Sequence, residues 1–465
     1  MNIVKRNDFM KFKPPVVKNE TYEMTINDLG TEGQGIGKIN GFTVFVENAL
    51  PDEIVKVLIV KVKKSFAYGK LVDIIKPSEY RVEPFCSNAK RCGGCQLQHL
   101  SYEGQLQFKR KKVIDCLERI GGFKDIKVDD IVGMDKPVRY RNKAQFPVGM
   151  GKNGVEIGFY AKRSHNIIDT EKCYLQHSIN DEIVRRFKEF MVENNISSYN
   201  EETHKGVVRH ILTRIGFKTG EIMVCVVGNS KKMPCSDKLV EKFKDIEGMT
   251  SIVFNENREK TNVILGSKVT TLYGKDYITD YIDDIKFEIS PLSFFQVNPI
   301  QTEKLYSKAL EFADIKGDEN VLDIYCGIGT ISLFFARKSK SVLGVEIIPE
   351  AIEDAKRNAS INGLSNTRFE VGKAEEIIPM LYEKEGIKAD VVVVDPPRKG
   401  CDEAVLETIA QIKPKKVVYV SCDPATMARD LRYLADNGFE IKRVCPVDQF
   451  CHTTHVETVV LLTRN

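Results

Sequence analysis

Cys422 ends a β-prone run, Val418-Tyr419-Val420-Ser421, and is followed at once by Asp423-Pro424. An earlier run, Val391-Val392-Val393-Val394, ends in a proline-stiffened acidic corner, Asp395-Pro396-Pro397-Arg398. A third, Val321 to Tyr325, enters the glycine loop Cys326-Gly327-Ile328-Gly329. In an open parallel sheet, ligands bind outside the carboxyl ends of the strands. The three strand ends should therefore face one crevice, with a thiol as its nucleophile.

Substitution at a pyrimidine ring carbon is a chemistry that needs such a thiol. Ring carbon C5 is a poor nucleophile while the 5,6 double bond is intact. A thiolate adding at C6 makes C5 enolate-like, and a base must then take the C5 proton so that the thiol can leave. Cys422 precedes a predicted helix, Pro424–Asn437, whose amino terminus can favour the thiolate. The charge of Asp423, the expected helix cap, works against it. The candidate base is Glu457, a carboxylate in the otherwise apolar run Val456–Leu462. His452 and His455 lie close by as supporting or incidental residues.

The glycine loop sits between a strand and a helix beginning near Thr330, and the next strand, Ser341–Val345, ends in Glu346. An acid there can accept hydrogen bonds from ribose hydroxyls. The third glycine of the dinucleotide fingerprint is missing, and Asp323 beside the loop would repel a pyrophosphate. An adenosine ligand without phosphate, S-adenosylmethionine, fits better. Enzymes acting on exocyclic amines carry an aromatic residue after the proline corner, where this chain has Arg398. A cytosine-C5 pattern needs a Cys directly after that corner, and Cys401 comes too late in the loop. One thiol on the next strand points to uracil.

A second group of thiols, Cys86-x5-Cys92-Gly93-Gly94-Cys95, could hold a metal centre around its glycine turn. Cys173 is the best fourth ligand, ahead of Cys116 on a predicted helix. Four thiolates suit zinc or an iron–sulfur cluster, and the spacing alone leaves both open.

These residues need a scaffold. From about residue 300, strands and helices alternate, predicting a parallel sheet with helices on both faces. Residues 125–290 read as short strands with some helix, notably Ile179–Glu193. The basic and aromatic stretches Arg139 to Phe146 and Phe159 to Arg163 fall in this region. A helix is predicted from Tyr102 to about Ile120. Residues 19–78 alternate short β-prone runs with glycine turns, which predicts a small antiparallel barrel. In it Lys56, Lys61, Lys63, Lys64 and Lys70 gather near Phe66 and Tyr68, as a solvated edge or a face for single-stranded nucleic acid.

The chain has 465 residues and a net charge of +4, so only local clustering can argue for a nucleic-acid partner. Twelve cysteines in a long chain suggest thiols or metal ligands in a reducing compartment, hence a cytoplasmic protein. No apolar run reaches the roughly 18 residues of a membrane helix. Nothing calls for a membrane or an obligate protein partner.

Taken together, the strand-end Cys422, the Asp395 corner, the glycine loop, the four cysteines and the barrel resemble the RNA uracil-C5 methyltransferase family. The likeness is to its branch acting on 23S ribosomal RNA. The resemblance implies a Rossmann-like S-adenosylmethionine methyltransferase domain (291–465) behind a basic tail (1–18). Between them it implies a TRAM barrel of oligonucleotide-binding type (19–78) and a β-rich central domain for iron–sulfur and RNA binding (79–290). It implies Cys422 as nucleophile and Glu457 as base. Gln296, Tyr325, Glu346 and Asp395 match cofactor-binding positions, with Gln296 in the motif Phe295-Gln296-Val297-Asn298. Cys86, Cys92, Cys95 and Cys173 match ligands of a [4Fe–4S] cluster. Thr330 and Lys373 depart from the family pattern and stay outside the site. The implied substrate is a uridine flipped out of a ribosomal RNA loop, with the flanking strand held by Arg139, Arg141, Lys143 and Arg163. The alternatives are a transfer-RNA uridine and a non-catalytic RNA-binding assembly factor.

Overall fold

The computed structural model describes residues 14–464, so most of the expected basic tail lies outside the described residues. Five strands, Thr21–Leu29 (β1), Gly35–Ile39 (β2), Phe42–Glu47 (β3), Ile54–Val62 (β4) and Phe66–Lys76 (β5), form a closed barrel in the order β1-β2-β3-β5-β4. Alternate residues point inward, and Val44, Val46, Val55, Val57, Ile59 and Ala67 fill the interior. Two of the glycines read as turn formers serve a different purpose. Gly35 and Gly37 lie within β2, and a Cβ on Gly37 would meet Thr25 O at 2.3 Å. On β5, a Cβ on Gly69 would meet Val57 Cγ1 at 2.1 Å. The small barrel closes because these inward positions carry no side chain.

Helix α1 (Tyr102–Arg119) follows. The central region forms a sheet in the order β12-β11-β10-β9-β6-β7-β8. Its strands are Lys143–Gly151 (β6), Gly154–Tyr160 (β7), Ile167–Asp169 (β8), Val208–Ile215 (β9), Ile222–Gly228 (β10), Met249–Glu256 (β11) and Lys268–Gly274 (β12). Helices Ile179–Glu193 (α2) and Ser236–Phe243 (α3) pack against it, burying Phe187, Phe190, Leu239 and Phe243. Strands β9 and β10 are buried along their whole length. A hairpin, Ile278–Ile282 (β13) with Ile285–Ile289 (β14), leads into the carboxyl-terminal region.

That region alternates Pro299–Ala313 (α4), Asn320–Ile324 (β15), Thr330–Ala336 (α5), Ser341–Glu346 (β16), Pro349–Ile361 (α6) and Thr367–Val371 (β17). It continues through Ala374–Glu385 (α7), Val391–Val394 (β18), Glu403–Ile412 (α8), Lys416–Ser421 (β19), Pro424–Asp436 (α9), Phe439–Val447 (β20) and Glu457–Arg464 (β21). The sheet order is β17-β16-β15-β18-β19-β21-β20, and the first five strands are parallel. Helix α9 shows how such helices are held. Met427, Leu431 and Leu434, spaced by about one helical turn, are fully buried, and each contributes roughly 1.5–3 kcal/mol.

Contacts divide the chain into two compact units, residues 14–85 with 96–108 and 452–454, and residues 86–95 with 109–451 and 455–464. No helix among the described residues is long and apolar enough to cross a membrane. Within the larger unit, Lys109 Nζ lies 2.5 Å from Asp448 Oδ1 and donates to Phe450 O at 2.9 Å, with both charged side chains fully buried. The pair anchors the segment that leads into β21. Lys109→Met, which leaves Asp448 buried and unpaired, is expected to cost about 3–5 kcal/mol in a denaturant titration. A loss below about 1 kcal/mol would mean that water reaches Asp448 in the folded protein.

Candidate active site

Sheet register brings the thiol and the carboxylate to the same place. Strand β21 runs antiparallel to β19, with Ser421 opposite Thr458. The first residue of β21, Glu457, therefore arrives at the carboxyl end of β19, where Cys422 follows Ser421. On its other side β21 pairs with β20, so it is an interior strand, and Glu457 is only 3% exposed. An exposed edge glutamate is thereby excluded. The neighbouring parallel strand β18 ends at Val394, opposite Tyr419, and Asp395 follows it.

Electrostatics follows from this gathering. Burial first, and then the charges of Glu457 and Asp395, push the Cys422 thiol up to about 12 against the opposing Arg398. Glu457 is held well above the ordinary carboxylate range by burial, then by Asp395, with Arg398 again opposing. Asp395 is raised by burial as well. The charge of either carboxyl group opposes ionisation of the other.

The expected help from the helix amino terminus is outweighed. Asp423 caps α9, its carboxylate accepting from Ala425 N at 2.9 Å and Thr426 N at 3.2 Å, and its charge also raises the thiol. The cation that favours the thiolate is Arg398, an exposed residue whose positive role sequence reasoning missed. Its only signal was a charge just past the proline corner. The loop bearing it is fixed from below. Thr426 Oγ1 donates to Arg398 O at 3.1 Å, and Arg429 Nη2 donates to Lys399 O at 2.9 Å. Buried Asp430 accepts from Tyr419 Oη at 2.6 Å and Cys401 N at 2.8 Å.

A raised thiol beside raised carboxyl groups has a sign. Cys422 and Glu457 must each lose a proton to act, and both are raised above their ordinary values. The rate constant kcat/KM should therefore rise from about pH 7 to pH 9, by up to about tenfold per unit. A steady-state pH series measures this, and a fall across that interval would contradict the assignment.

The glycine loop is built as its residues suggest. Tyr325 N and Cys326 N both donate to Val345 O, at 3.0 and 3.1 Å, and Tyr325 sits at φ +70°. That left-handed conformation costs an aromatic residue about 1–3 kcal/mol, a strain that clusters at functional sites. Gly327 has φ +55°, and a Cβ on it would meet nothing within 4 Å, so the backbone is open to a ligand there. Half-buried Glu346 accepts from Gly327 N at 3.2 Å and Ile348 N at 3.1 Å. Asp323 differs from expectation. It is 1% exposed, accepts from Ser332 Oγ at 2.5 Å, and burial pushes it up to about 7. It braces the loop from beneath, so its charge does not serve to repel a phosphate. Gln296 comes from the buried segment before α4, which Asn142 secures by donating from Nδ2 to Gln296 O at 3.0 Å.

His455 lies within the field of Arg398, and burial, Arg398, Lys112 and Lys109 hold it neutral, near 4. His452 belongs to the other compact unit, its Nδ1 3.1 Å from Gln105 Nε2 and its N–H donating to Gln105 Oε1 at 2.9 Å. That residue serves packing.

The cysteine group is gathered incompletely. Gly93 N donates to Tyr160 O at 3.0 Å, and Arg139 Nη1 donates to Cys173 O at 2.8 Å. Burial raises the Cys92 and Cys173 thiols, and Cys86 adds to both. Cys95 lies within the field of Tyr140. Among the described residues, however, no three His, Cys, Asp or Glu side chains converge closely enough to hold a metal ion.

Comparison with known proteins gives the family. The family model of tRNA (uracil-5-)-methyltransferases matches residues 254–465, and that of the TRAM domain matches residues 15–72. An uncharacterized RNA methyltransferase of Clostridium tetani is 56% identical over 98% of both chains. A Halalkalibacterium halodurans protein of the same description is 52% identical over 97% of this chain and 99% of its own. Among solved structures, the Pyrococcus abyssi tRNA (uracil-54, C5)-methyltransferase in complex with S-adenosyl-L-homocysteine superposes with a TM-score of 0.77. It is 31% identical and covers 95% of this chain and 100% of its own. The chain thus belongs to the tRNA (uracil-5-)-methyltransferase family of RNA methyltransferases.

Proposed function

We infer that this protein methylates carbon 5 of a uridine in RNA, with S-adenosylmethionine as donor and 23S ribosomal RNA as substrate. The observation that carries the reaction is the meeting of the Cys422 thiol with buried Glu457 at the carboxyl ends of β19 and β18. Cys422 adds to C6, forming a sulfur–carbon bond and moving the ring electrons onto C5. S-adenosylmethionine, when bound, supplies the electrophilic methyl group. Glu457 then takes the C5 proton, the 5,6 double bond returns, and the sulfur–carbon bond breaks. Arg398 favours the anionic forms of both residues.

The open backbone at Gly327 and the carboxylate of Glu346 suit an adenosine-bearing ligand, with Tyr325, Gln296 and Asp395 as its further contacts. The Pyrococcus abyssi protein, which holds S-adenosyl-L-homocysteine, supports that reading. Cys86, Cys92, Cys95 and Cys173 would hold a [4Fe–4S] cluster. The support is four thiols on adjoining loops, three of them within one another's field. No step of the methylation uses it.

The barrel together with the cysteine group favours the ribosomal substrate. A transfer-RNA uridine is the second reading, favoured by the solved relative. Purified protein with methyl-labelled S-adenosylmethionine and unmodified 23S or transfer RNA, followed by nucleoside analysis, separates them. Labelled 5-methyluridine in 23S RNA is the expected result, and label in transfer RNA alone would establish the second reading. Label in neither, with S-adenosylmethionine bound, would leave a non-catalytic RNA-binding factor. Iron and acid-labile sulfide in protein purified without air test the cluster, and neither should be absent.

A further inference from the structure

The segment Arg139-Tyr140-Arg141-Asn142 joins parts of the larger unit that are far apart in sequence. Its first and third residues are bonded to the loop that carries Cys173. Arg139 N donates to Tyr174 O at 2.7 Å and Arg141 N to Leu175 O at 3.0 Å, a short parallel ladder. The Arg139 guanidinium turns inward onto the same loop. Its Nη1 donates to Cys173 O at 2.8 Å and to Gln176 O at 3.1 Å. Its Nη2 donates to Asp181 Oδ2 on α2 at 3.2 Å, and its Cζ lies 5.4 Å from the centre of the Tyr174 ring.

The fourth residue faces the segment that carries Gln296. Buried Asn142 donates from N to Val297 O at 2.9 Å and from Nδ2 to Gln296 O at 3.0 Å. Between these two anchors Tyr140 is fully buried, and its Oη donates to Cys451 O at 3.0 Å, so the segment has no slack there. Arg139 itself sits at φ +56°. A residue with a long side chain keeps that left-handed conformation only where the surrounding bonds impose it.

We propose that this segment is a strap coupling the Cys173 loop to the S-adenosylmethionine site, with Arg139 as the positioning residue that sets Gln296 for the cofactor. The proposal rests on the reading that Gln296 contacts S-adenosylmethionine. Arg139 is the element with two states. With the Cys173 loop seated, its bonds hold Arg139 left-handed and Asn142 against Gln296 and Val297. With the loop released, Arg139 returns to negative φ, the residues after it turn, and Asn142 leaves its partners. A ligand that binds one state better favours that state, and the coupling acts equally in both directions. Cofactor binding therefore keeps the Cys173 loop seated, and loosening that loop weakens the cofactor by the same factor. Neither effect depends on what the four cysteines hold.

The test uses the full-length protein as purified, titrated with S-adenosyl-L-homocysteine by calorimetry and labelled with N-ethylmaleimide. Peptide mass spectrometry follows Cys173 and, as the reporter of global unfolding, Cys225, which is fully buried on β10. Saturating S-adenosyl-L-homocysteine should slow labelling of Cys173 in wild-type protein about tenfold more than that of Cys225. In Asn142→Ala, which cuts the strap at its other end, that selective protection should vanish at saturating ligand. Arg139→Gln should weaken the ligand about tenfold, and Arg139→Lys, which keeps the charge and one donor, should recover part of the loss. Equal protection of Cys173 and Cys225 is ordinary stabilisation and would overturn the strap, as would full affinity in folded Arg139→Gln. The wild-type labelling decides the matter even if the Arg139 variants fail to fold. Wild-type protein that binds no S-adenosyl-L-homocysteine rejects the cofactor reading and the strap with it. Binding without selective protection rejects the strap alone.

Discussion

Cys422→Ala is expected to abolish methyl transfer, by about 10⁴-fold or more, as removal of a covalent nucleophile does elsewhere. No other group near the carboxyl end of β19 can replace it. Tyr419 is buried within the sheet, Ser421 Oγ is engaged with Asp423, and Cys401 lies buried against Tyr419. Binding of S-adenosylmethionine should survive, because the glycine loop and Glu346 belong to β15 and β16, two and three strands away from β19. Calorimetry on the variant separates the two effects. Residual methylation above about one per cent of wild type would point to chemistry that needs no thiol, such as transfer to a ring nitrogen or a ribose hydroxyl.

Glu457→Gln should fail at a later step. The amide fills the same buried position but cannot take the C5 proton, so turnover should drop by about 10²–10⁴-fold. Addition of Cys422 comes before that proton is lost. The variant should accordingly accumulate a protein–RNA adduct that survives denaturing electrophoresis and disappears in the double variant with Cys422→Ala. Misfolding does not predict this outcome. A carboxyl group raised on folding binds more protons in the folded state, so it costs stability that grows as pH climbs above its unfolded value. Glutamine removes that cost, and the variant should melt no lower than wild type at pH 8. Lost turnover without an adduct would place Glu457 at the addition step instead.

Much of this site is legible in the amino-acid sequence, because chemistry and local pattern agree at strand ends. Cys422, Asp395 and Glu346 each close an apolar run in an alternating strand–helix region, and a parallel sheet necessarily puts such ends on one side. Helices bounded by clear signals also emerged closely, with Ile179–Glu193 for α2 and Pro424–Asp436 for α9. What the chain concealed is set by distant pairing. The central sheet joins β6 to β9, and segments 96–108 and 452–454 pack with the barrel's unit. Neither relation leaves a local trace. Glu457 was visible as an odd carboxylate, but only the antiparallel register explains why it meets Cys422. Burial was the other blind spot. It raised the Cys422 thiol, whose shift the opposing helix end and Asp423 had left open, and removed Asp323 from the ligand's field. The closed barrel likewise changed the meaning of Gly37.

The most direct test of the central claim follows the proton that Glu457 is said to remove. RNA carrying tritium at uridine C5 would be incubated with wild-type protein and unlabelled S-adenosylmethionine, and tritium released to water measured against 5-methyluridine formed. One tritium released per methyl group gained, and none with Cys422→Ala, is the result this account predicts. Methyl groups gained while the tritium stays on the RNA would contradict it.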